Sequence, residues 1–163
     1  MDSIQLTHVL KKNKVTRSSF QEVLPYDKVH RIQPNGVKNI SYIVNSANSR
    51  QPGSHWISLF GNRNRICFYD PLGLDLVKYY RNLYLHLKKI TLEIVYFNIQ
   101  IQPFNTDTCG EFCCVFIWLK GNGLSLSQIY QRFFKASSPR ENQHMLLNFT
   151  PHLKQAHEKR ENK

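Results

Sequence analysis

The chain has 163 residues and a mass of 19.2 kDa, the size of a single domain. Hydrophobic residues make up 41% and aromatic residues 12%, which excludes wholesale disorder and allows a buried core without metal or disulfides. Lys and Arg outnumber Asp and Glu by 22 to 11, and the resulting charge of +11 favours polyanionic partners. No apolar run approaches the roughly 18 residues that span a bilayer, and the polar start of the chain predicts no secretion signal.

The first half of the chain is predicted to form a hairpin preceded by less regular structure. The elements are a short amphipathic helix over 1–14, a turn-rich stretch over 15–41, an apolar segment over 40–44, a polar loop over 46–53, and strands over 55–60 and 65–70 around a turn at 61–64. In the second strand, Ile66, Phe68 and Asp70 alternate with Cys67 and Tyr69, so each group is assigned to its own face of the sheet.

The second half is predicted to be mainly helical. The elements are a helix over 74–89, a strand over 92–102, a loop over 103–108, a buried helix over 109–120, a helix over 126–135 and a last helix that starts at Ser138. Together these elements predict an α+β fold, in which helices flank a small mixed sheet of three to five strands. We expect one domain over 1–153 and a charged, flexible tail over 154–163.

The four cysteines are Cys67, Cys109, Cys113 and Cys114. Without an export signal, the chain is expected in a reducing compartment, where the thiols stay unpaired. A structural zinc site usually needs two spaced pairs of ligands, whereas three of these cysteines fall within six residues. The spacing therefore predicts no metal site.

Cys109 is the first candidate for chemistry. It follows a turn-forming run and opens a predicted helix, so the positive end of the helix dipole is expected to lower its pKa and favour the thiolate. Gly110, the next residue, allows a substrate to approach the backbone closely. The local sequence is equally compatible with Cys109 as a small buried apolar residue, the role expected of Cys113 and Cys114.

His55 and Asp70 are predicted at matching ends of the hairpin. His55 begins the first strand and Asp70 ends the second, so a turn at 61–64 places both at one edge of the sheet. A cysteine nucleophile needs a histidine base, and that histidine needs an acceptor on its far nitrogen. His55 is also compatible with a metal ligand or a surface residue, and Asp70 with a strand-end cap beside Pro71.

Gln102 lies seven residues before Cys109, at the end of a predicted strand. Its amide could donate to an oxyanion near the sulfur, together with the backbone N–H of Cys109. The alternative is a solvated strand end without a role in chemistry.

Four segments give these residues a common context. They are Tyr42-Ile43-Val44-Asn45, Gly53-Ser54-His55-Trp56, Cys67-Phe68-Tyr69-Asp70-Pro71-Leu72-Gly73 and Gln102-(x6)-Cys109-Gly110-Glu111-Phe112-Cys113-Cys114. In this order they resemble the adenovirus-type cysteine endopeptidases, the adenains, which belong to the clan that includes the ubiquitin-like-protein proteases. The spacing from Gln102 to Cys109 resembles the adenovirus branch, because the other branch is one residue shorter. The similarity extends over about residues 40–150.

The resemblance implies a role for each candidate. Cys109 is implied to be the nucleophile, His55 its base, and Asp70 the residue that orients His55, although the adenovirus branch usually has Glu there. Gln102 and the N–H of Cys109 are implied to form the oxyanion hole, and Trp56 to pack beside the site. The implied reaction is peptide hydrolysis through a thioacyl-enzyme, next to small residues and especially glycine. This chemistry requires no cofactor.

The resemblance also gives the positive charge a meaning, because adenovirus-type enzymes use DNA as a cofactor. Between residues 28 and 69 there are six basic residues and no acidic ones. The candidate DNA contacts are Lys28, Arg31, Lys38, Arg50, Arg63 and Arg65. Binding to double-stranded DNA through phosphates would be blind to sequence and weakened by salt. Solubility charge scattered over the surface is the alternative.

One departure from the family concerns activation. Adenoviral enzymes carry a cysteine just before a segment like Ile90-Thr91-Leu92-Glu93, where it bonds to an activating viral peptide, but this chain has Lys89 there. The sequence therefore predicts no covalent activation by such a peptide. An activating peptide, if one exists, is expected to bind without a disulfide, and DNA is the other candidate activator.

Three functions follow from these observations. The first is a monomeric endopeptidase that cleaves capsid or core precursors of a DNA virus or virus-like transposon, within the virion and the host nucleus or cytoplasm. The second is an isopeptidase that removes ubiquitin-like modifiers from host proteins. The third is an inactive DNA-binding packaging module, which the presence of all four candidate site residues argues against. None of the three involves a membrane.

Overall fold

The computed structural model describes residues 1–34, 36–133 and 138–149, and a five-stranded sheet lies at its centre. The strands follow chain order across the sheet, as β1 (Phe20–Leu24), β2 (Ile40–Asn45), β3 (Trp56–Gly61), β4 (Arg65–Tyr69) and β5 (Glu93–Val95). The inner strands β2, β3 and β4 are antiparallel, while β1 and β5 pair in parallel at the two edges. The predicted hairpin is therefore the middle of the sheet.

Helices cover both faces of this sheet. They are α1 (Ser3–Lys12), a 3-10 helix (Tyr26–Arg31), α2 (Leu76–Tyr79), α3 (Arg81–Ile90), α4 (Cys109–Gly121), α5 (Leu126–Phe133) and α6 (Pro139–Phe149). One core contains Cys67 and Tyr69 with residues of α1, α4, α5 and α6. The other contains Ile66 and Phe68 with the 3-10 helix, α2 and α3. The α+β prediction is confirmed, as is the assignment of alternate β4 residues to opposite faces.

Three predicted elements differ in the structure. The turn-rich stretch contains β1, whose parallel pairing with the distant β2 leaves no local periodic signal. The predicted strand over 92–102 is wrong beyond Val95, because the N–H groups of Ile101 and Gln102 both bond to the carbonyl of Pro71 instead of extending the ladder. The helix predicted over 74–89 is divided in two at Tyr80.

The first helix is shorter than predicted. Leu6 and Leu10 are buried in α1, whereas the apolar side chain of Ile4 is 79% exposed. Among the described residues no helix is both long and apolar enough to span a bilayer. The tail predicted over 154–163 lies outside the described residues.

Candidate active site

The central hairpin brings His55 and Asp70 into direct contact. His55 immediately precedes β3 and Asp70 immediately follows β4, and these strands pair antiparallel with Ser58 opposite Tyr69. His55 Nε2 lies 2.8 Å from Asp70 Oδ1, and both residues are buried. Strand pairing thus explains why two residues fifteen positions apart in sequence meet.

The carboxylate of Asp70 is fixed by further donors. The backbone N–H of Leu72 donates to Oδ1 at 2.7 Å, and the hydroxyl of Tyr80 donates to Oδ2 at 2.7 Å. Asp70 is only 1% exposed, so these bonds replace the hydration that a buried carboxylate loses. The aspartate is held in one orientation by three donors from three parts of the chain.

Cys109 is the first residue of α4 and follows the N-cap Thr108. Burial alone lowers the pKa of His55, but hydrogen bonds to Asp70 and Cys109 and the charges of both partners outweigh it and raise the pKa from 6.5 to about 9. Since Nε2 is occupied by Asp70, the other ring nitrogen serves Cys109. At neutral pH the imidazole is therefore protonated and holds a proton that it can give to a leaving group.

A cleft of about 810 Å³ opens onto these residues. Its lining contains residues of the predicted site, of the loop before His55, of the start of the chain and of the loop before Cys109. Among them are Gly53, His55, Trp56, Gln102, Thr106 and Cys109. Cys109 is 7% exposed and belongs to this lining, so a substrate in the cleft would lie against it.

The other three cysteines are separated from the cleft by packing. Burial raises the pKa of the Cys67, Cys113 and Cys114 thiols, so all three remain protonated at neutral pH. The Cys113 thiol also donates to the backbone carbonyl of Trp56. Cys109 is the one cysteine of the four that lines the cleft.

Trp56 packs against the start of α4, as expected. Its Nε1 donates to the carbonyl of Met1 at 3.1 Å. A Cβ added to Gly110 would lie 3.0 Å from Leu6 and 3.3 Å from the indole of Trp56, which is tighter than ordinary contacts. The glycine after Cys109 thus lets the helix start lie close under the indole.

Gln102 is buried beside the cleft, but its amide is already engaged. Nε2 donates to the carbonyl of Thr106 at 2.8 Å and lies 3.2 Å from its hydroxyl, while Oε1 is buried without a hydrogen-bond partner. The Thr106 hydroxyl in turn donates to the carbonyl of Pro103. The structure places Gln102 next to Cys109 in the cleft lining, with its donor turned toward the intervening loop.

Two side chains that the sequence did not single out fix the loop before His55. Asn45 Oδ1 accepts from the N–H groups of Ala47 at 2.8 Å and Ser54 at 3.4 Å, joining the two ends of the loop. Asp27 accepts from the N–H and the hydroxyl of Ser49 at 2.7 and 2.9 Å. An asparagine at the end of a strand, before a polar loop, was the signal available for the first contact.

The six basic candidates do not form a single surface. Three are in ion pairs: Lys28 with Asp27 at 3.6 Å, Arg31 with Glu22 at 3.0 Å, and Arg65 with Glu93 at 2.6 Å. Lys38 and Arg63 lie at the end of the hairpin away from His55, in two loops joined by a hydrogen bond from Asn62 to the carbonyl of Val37 at 3.2 Å. Arg50 lies at the opposite end, in the loop before His55.

Within the described residues, no cluster of three or more His, Cys, Asp or Glu side chains could hold a metal ion. The polar groups of the site are instead bonded to one another, as His55 is to Asp70. The chemistry that this arrangement can perform is therefore that of a thiol and an imidazole at the wall of a cleft, with a buried carboxylate bonded to the imidazole.

Comparison with known proteins gives this arrangement a family. The sequence model of the adenovirus endoprotease family matches residues 26–123, which include His55, Asp70, Gln102 and Cys109. This chain belongs to the adenovirus endoprotease family. The family predicted from the sequence motifs is thereby confirmed.

Individual relatives are more distant. A protein of Acanthamoeba polyphaga mimivirus, named as a thiol protease, is 29% identical over 100 residues, which are 56% of this chain and 32% of the relative. The chain thus matches only about a third of that protein's length. The crystal structure of a protease from ASFV (African swine fever virus) superposes with a TM-score of 0.57 at 14% identity, covering 89% of this chain and 64% of that one. The fold is therefore shared with a viral protease.

The SUMO protease Ulp1, solved with its catalytic cysteine oxidised to a sulfinic acid, superposes with a TM-score of 0.46 at 14% identity. The superposition covers 80% of this chain and 70% of Ulp1.

Proposed function

We propose that this protein is a cysteine endopeptidase of viral type, with Cys109 as nucleophile and His55 as acid and base. The observation that carries the proposal is the contact of His55 with Cys109 at the wall of one cleft, with His55 also bonded to the buried Asp70 at 2.8 Å. Membership of the adenovirus endoprotease family supports the same activity. A viral setting is supported by the mimivirus and ASFV relatives.

The reaction begins with attack of the Cys109 sulfur on a peptide carbonyl carbon. The C=O electron pair moves to the oxygen, and the resulting oxyanion accepts hydrogen bonds from the N–H of Cys109 and from Gln102. His55 gives its proton to the leaving amine as the C–N bond breaks, which leaves a thioester on Cys109. His55 then takes a proton from water, whose oxygen attacks the thioester carbon; the C–S bond breaks, which releases the acid and returns His55 and the Cys109 sulfur to their starting protonation states.

Gln102 needs a small movement to take part. Its Nε2 is engaged by Thr106, so one N–H must turn from the hydroxyl at 3.2 Å toward the substrate oxygen while the bond to the carbonyl at 2.8 Å is kept. An amide nitrogen carries two hydrogens, so both bonds can be made at once. We infer that substrate binding completes this half of the site.

The substrates we propose are capsid or core precursors, cleaved next to glycine inside infected cells or virions. The preference for glycine rests on the family resemblance. Removal of ubiquitin-like modifiers is the competing activity, and it would use the same three catalytic groups. The two differ in the partner that the cleft accepts, an extended peptide or the end of a folded domain.

Peptide cleavage tests the proposal. The wild-type protein should cleave a fluorogenic peptide with glycine at the scissile bond, and Cys109→Ala should not. Cys67→Ala, which removes a buried thiol outside the cleft, is the matched control and should retain turnover. Equal turnover by wild type and Cys109→Ala would refute the assignment. Cleavage of a ubiquitin-like conjugate but not of precursor peptides would replace the endopeptidase with the isopeptidase.

We also propose that the protein associates with double-stranded DNA. The support is the charge of +11 and the pairing of Lys38 and Arg63 in adjacent loops away from the cleft. The double variant Lys38→Gln with Arg63→Gln should weaken binding and flatten its dependence on salt, since phosphate contacts release counterions. Arg31→Gln, at a residue paired with Glu22, is the control. Binding by the double variant equal to wild type would exclude this surface.

A further inference from the structure

Tyr80 occupies an unusual position for a residue predicted inside a helix. It separates α2 from α3, with φ −128° and ψ 44°, values outside the helical region. Its ring is buried and tilted against Phe68 at 5.6 Å and Tyr26 at 6.4 Å between centroids. The interruption turns the ring into the core and places its hydroxyl at the rear of the catalytic aspartate.

The hydroxyl of Tyr80 donates to Asp70 Oδ2 at 2.7 Å. The other carboxylate oxygen, Oδ1, accepts from His55 Nε2 and from the N–H of Leu72. The hydroxyl of Tyr80 therefore fixes Oδ2, and the aspartate is 1% exposed, so water does not substitute for the hydroxyl. Without this donor, a buried carboxylate oxygen would be left unpaired.

We propose that Tyr80 is a positioning residue for the reaction, holding Asp70 so that His55 presents its second ring nitrogen to Cys109. The inference rests on the proposed function, since it concerns the same site. A carboxylate turns easily about its last torsion, and opposite donors on its two oxygens prevent that rotation. Tyr80 therefore acts on His55 through Asp70, without touching the substrate.

The geometry also explains why the phenol can serve as donor and not as a competing acid. Burial, together with the nearby charge of Asp70, raises the pKa of Tyr80, so the hydroxyl keeps its proton throughout the working range of pH. A permanently protonated hydroxyl beside a carboxylate has one arrangement, with the proton directed at the carboxylate oxygen.

The test is Tyr80→Phe, which keeps the ring contacts and removes the donor, against Tyr79→Phe at the neighbouring tyrosine, which is 53% exposed. Tyr80→Phe is expected to lower kcat about tenfold with KM unchanged, as for loss of a hydrogen bond to a charged group. The alkaline limb of the pH–rate profile, which His55 sets near pH 9, should move to lower pH in Tyr80→Phe because the contact between His55 and Asp70 weakens. Tyr79→Phe should match wild type in kcat, in KM and in the position of the alkaline limb.

A second measurement does not depend on turnover. The titration of His55, followed by NMR of histidine-labelled protein, should shift in Tyr80→Phe and not in Tyr79→Phe, even if no peptide substrate is cleaved. In an Asp70→Asn background, Tyr80→Phe should lower kcat no further, because its effect passes through Asp70. If Tyr80→Phe does not fold, difluorotyrosine at position 80 keeps ring and hydroxyl but strengthens the donor, and should raise the pKa of His55.

The outcomes separate the two proposals. A wild-type titration of His55 in both Tyr80→Phe and the fluorinated protein would overturn the positioning role, whatever the activity. Loss of stability in Tyr80→Phe with kcat and the alkaline limb unchanged would do the same. An altered titration in a protein that cleaves no peptide would leave the positioning of His55 in place and refute the endopeptidase function.

Discussion

The two halves of the site are built differently. The half proposed to move protons stands on two paired strands, and the carboxylate of Asp70 is bonded to His55, Leu72 and Tyr80. The half that would stabilise the oxyanion lies on irregular chain, where Gln102 donates to Thr106 and leaves its own Oε1 unpaired. In the proposed mechanism, the acid–base half is therefore complete before substrate arrives, while the oxyanion half is completed by substrate.

The largest expected effect is on the preorganised half. Asp70→Asn keeps the shape but donates where Asp70 accepts, so His55 is held in the wrong tautomer and kcat should fall about 10³-fold or more. Asp75→Asn makes the same charge change at the N-cap of α2 and is the control in the same turnover assay. A loss below tenfold would mean that Asp70 does not orient His55.

A smaller effect is expected from the oxyanion half. Gln102→Ala should lower kcat about 10²-fold with little change in KM, because the donor acts on charge that appears only in the transition state. Gln33→Ala, at an exposed glutamine far from the cleft, should behave as wild type in the same assay. If Gln102→Ala instead raised KM alone, the amide would bind substrate without stabilising the oxyanion.

The remaining effect concerns stability and pH instead of turnover. The pKa of His55 is raised to about 9 in the folded protein, above the ordinary 6.5, so its proton stabilises the fold fully below pH 6.5 and this contribution is lost as pH rises through 9. The difference between the two pKa values corresponds to about 3 kcal/mol. Urea unfolding of wild type should show this decline relative to His55→Gln. If the free energies of unfolding of the two proteins changed with pH in parallel, His55 would have an ordinary pKa in the folded protein.

The difference between the two halves of the site also explains which of its contacts could be predicted from the sequence. The contact of His55 with Asp70 was predictable because alternation in β4 and a short turn fix which strand ends meet. Within the helix predicted over 74–89, Tyr80 shares the spacing of one face with Leu76, Leu83 and Leu87, which indicates burial, and a buried tyrosine hydroxyl needs a partner. That this partner is Asp70 was not predictable, because the break between α2 and α3 depends on tertiary packing.

The surroundings of Gln102 were even less predictable from the sequence. Its segment alternates like a strand, yet the chain leaves the sheet after Val95 and is fixed by the carbonyl of Pro71. A Cβ on Gly73, whose φ is +69°, would lie 2.5 Å from the N of Gln100, so that glycine allows the turn after Asp70 to contact this segment. Such a contact between distant parts of the chain leaves no periodic pattern in the sequence.

The measurement that tests the central claim most directly is capture of the nucleophile. A glycine-ending peptide with an electrophile in place of the scissile carbonyl should form a single adduct, mapped by mass spectrometry to Cys109, and the adduct should form far more slowly in His55→Ala. An adduct on Cys67, Cys113 or Cys114, or equal rates in wild type and His55→Ala, would contradict the assignment of Cys109 and His55 as the catalytic pair.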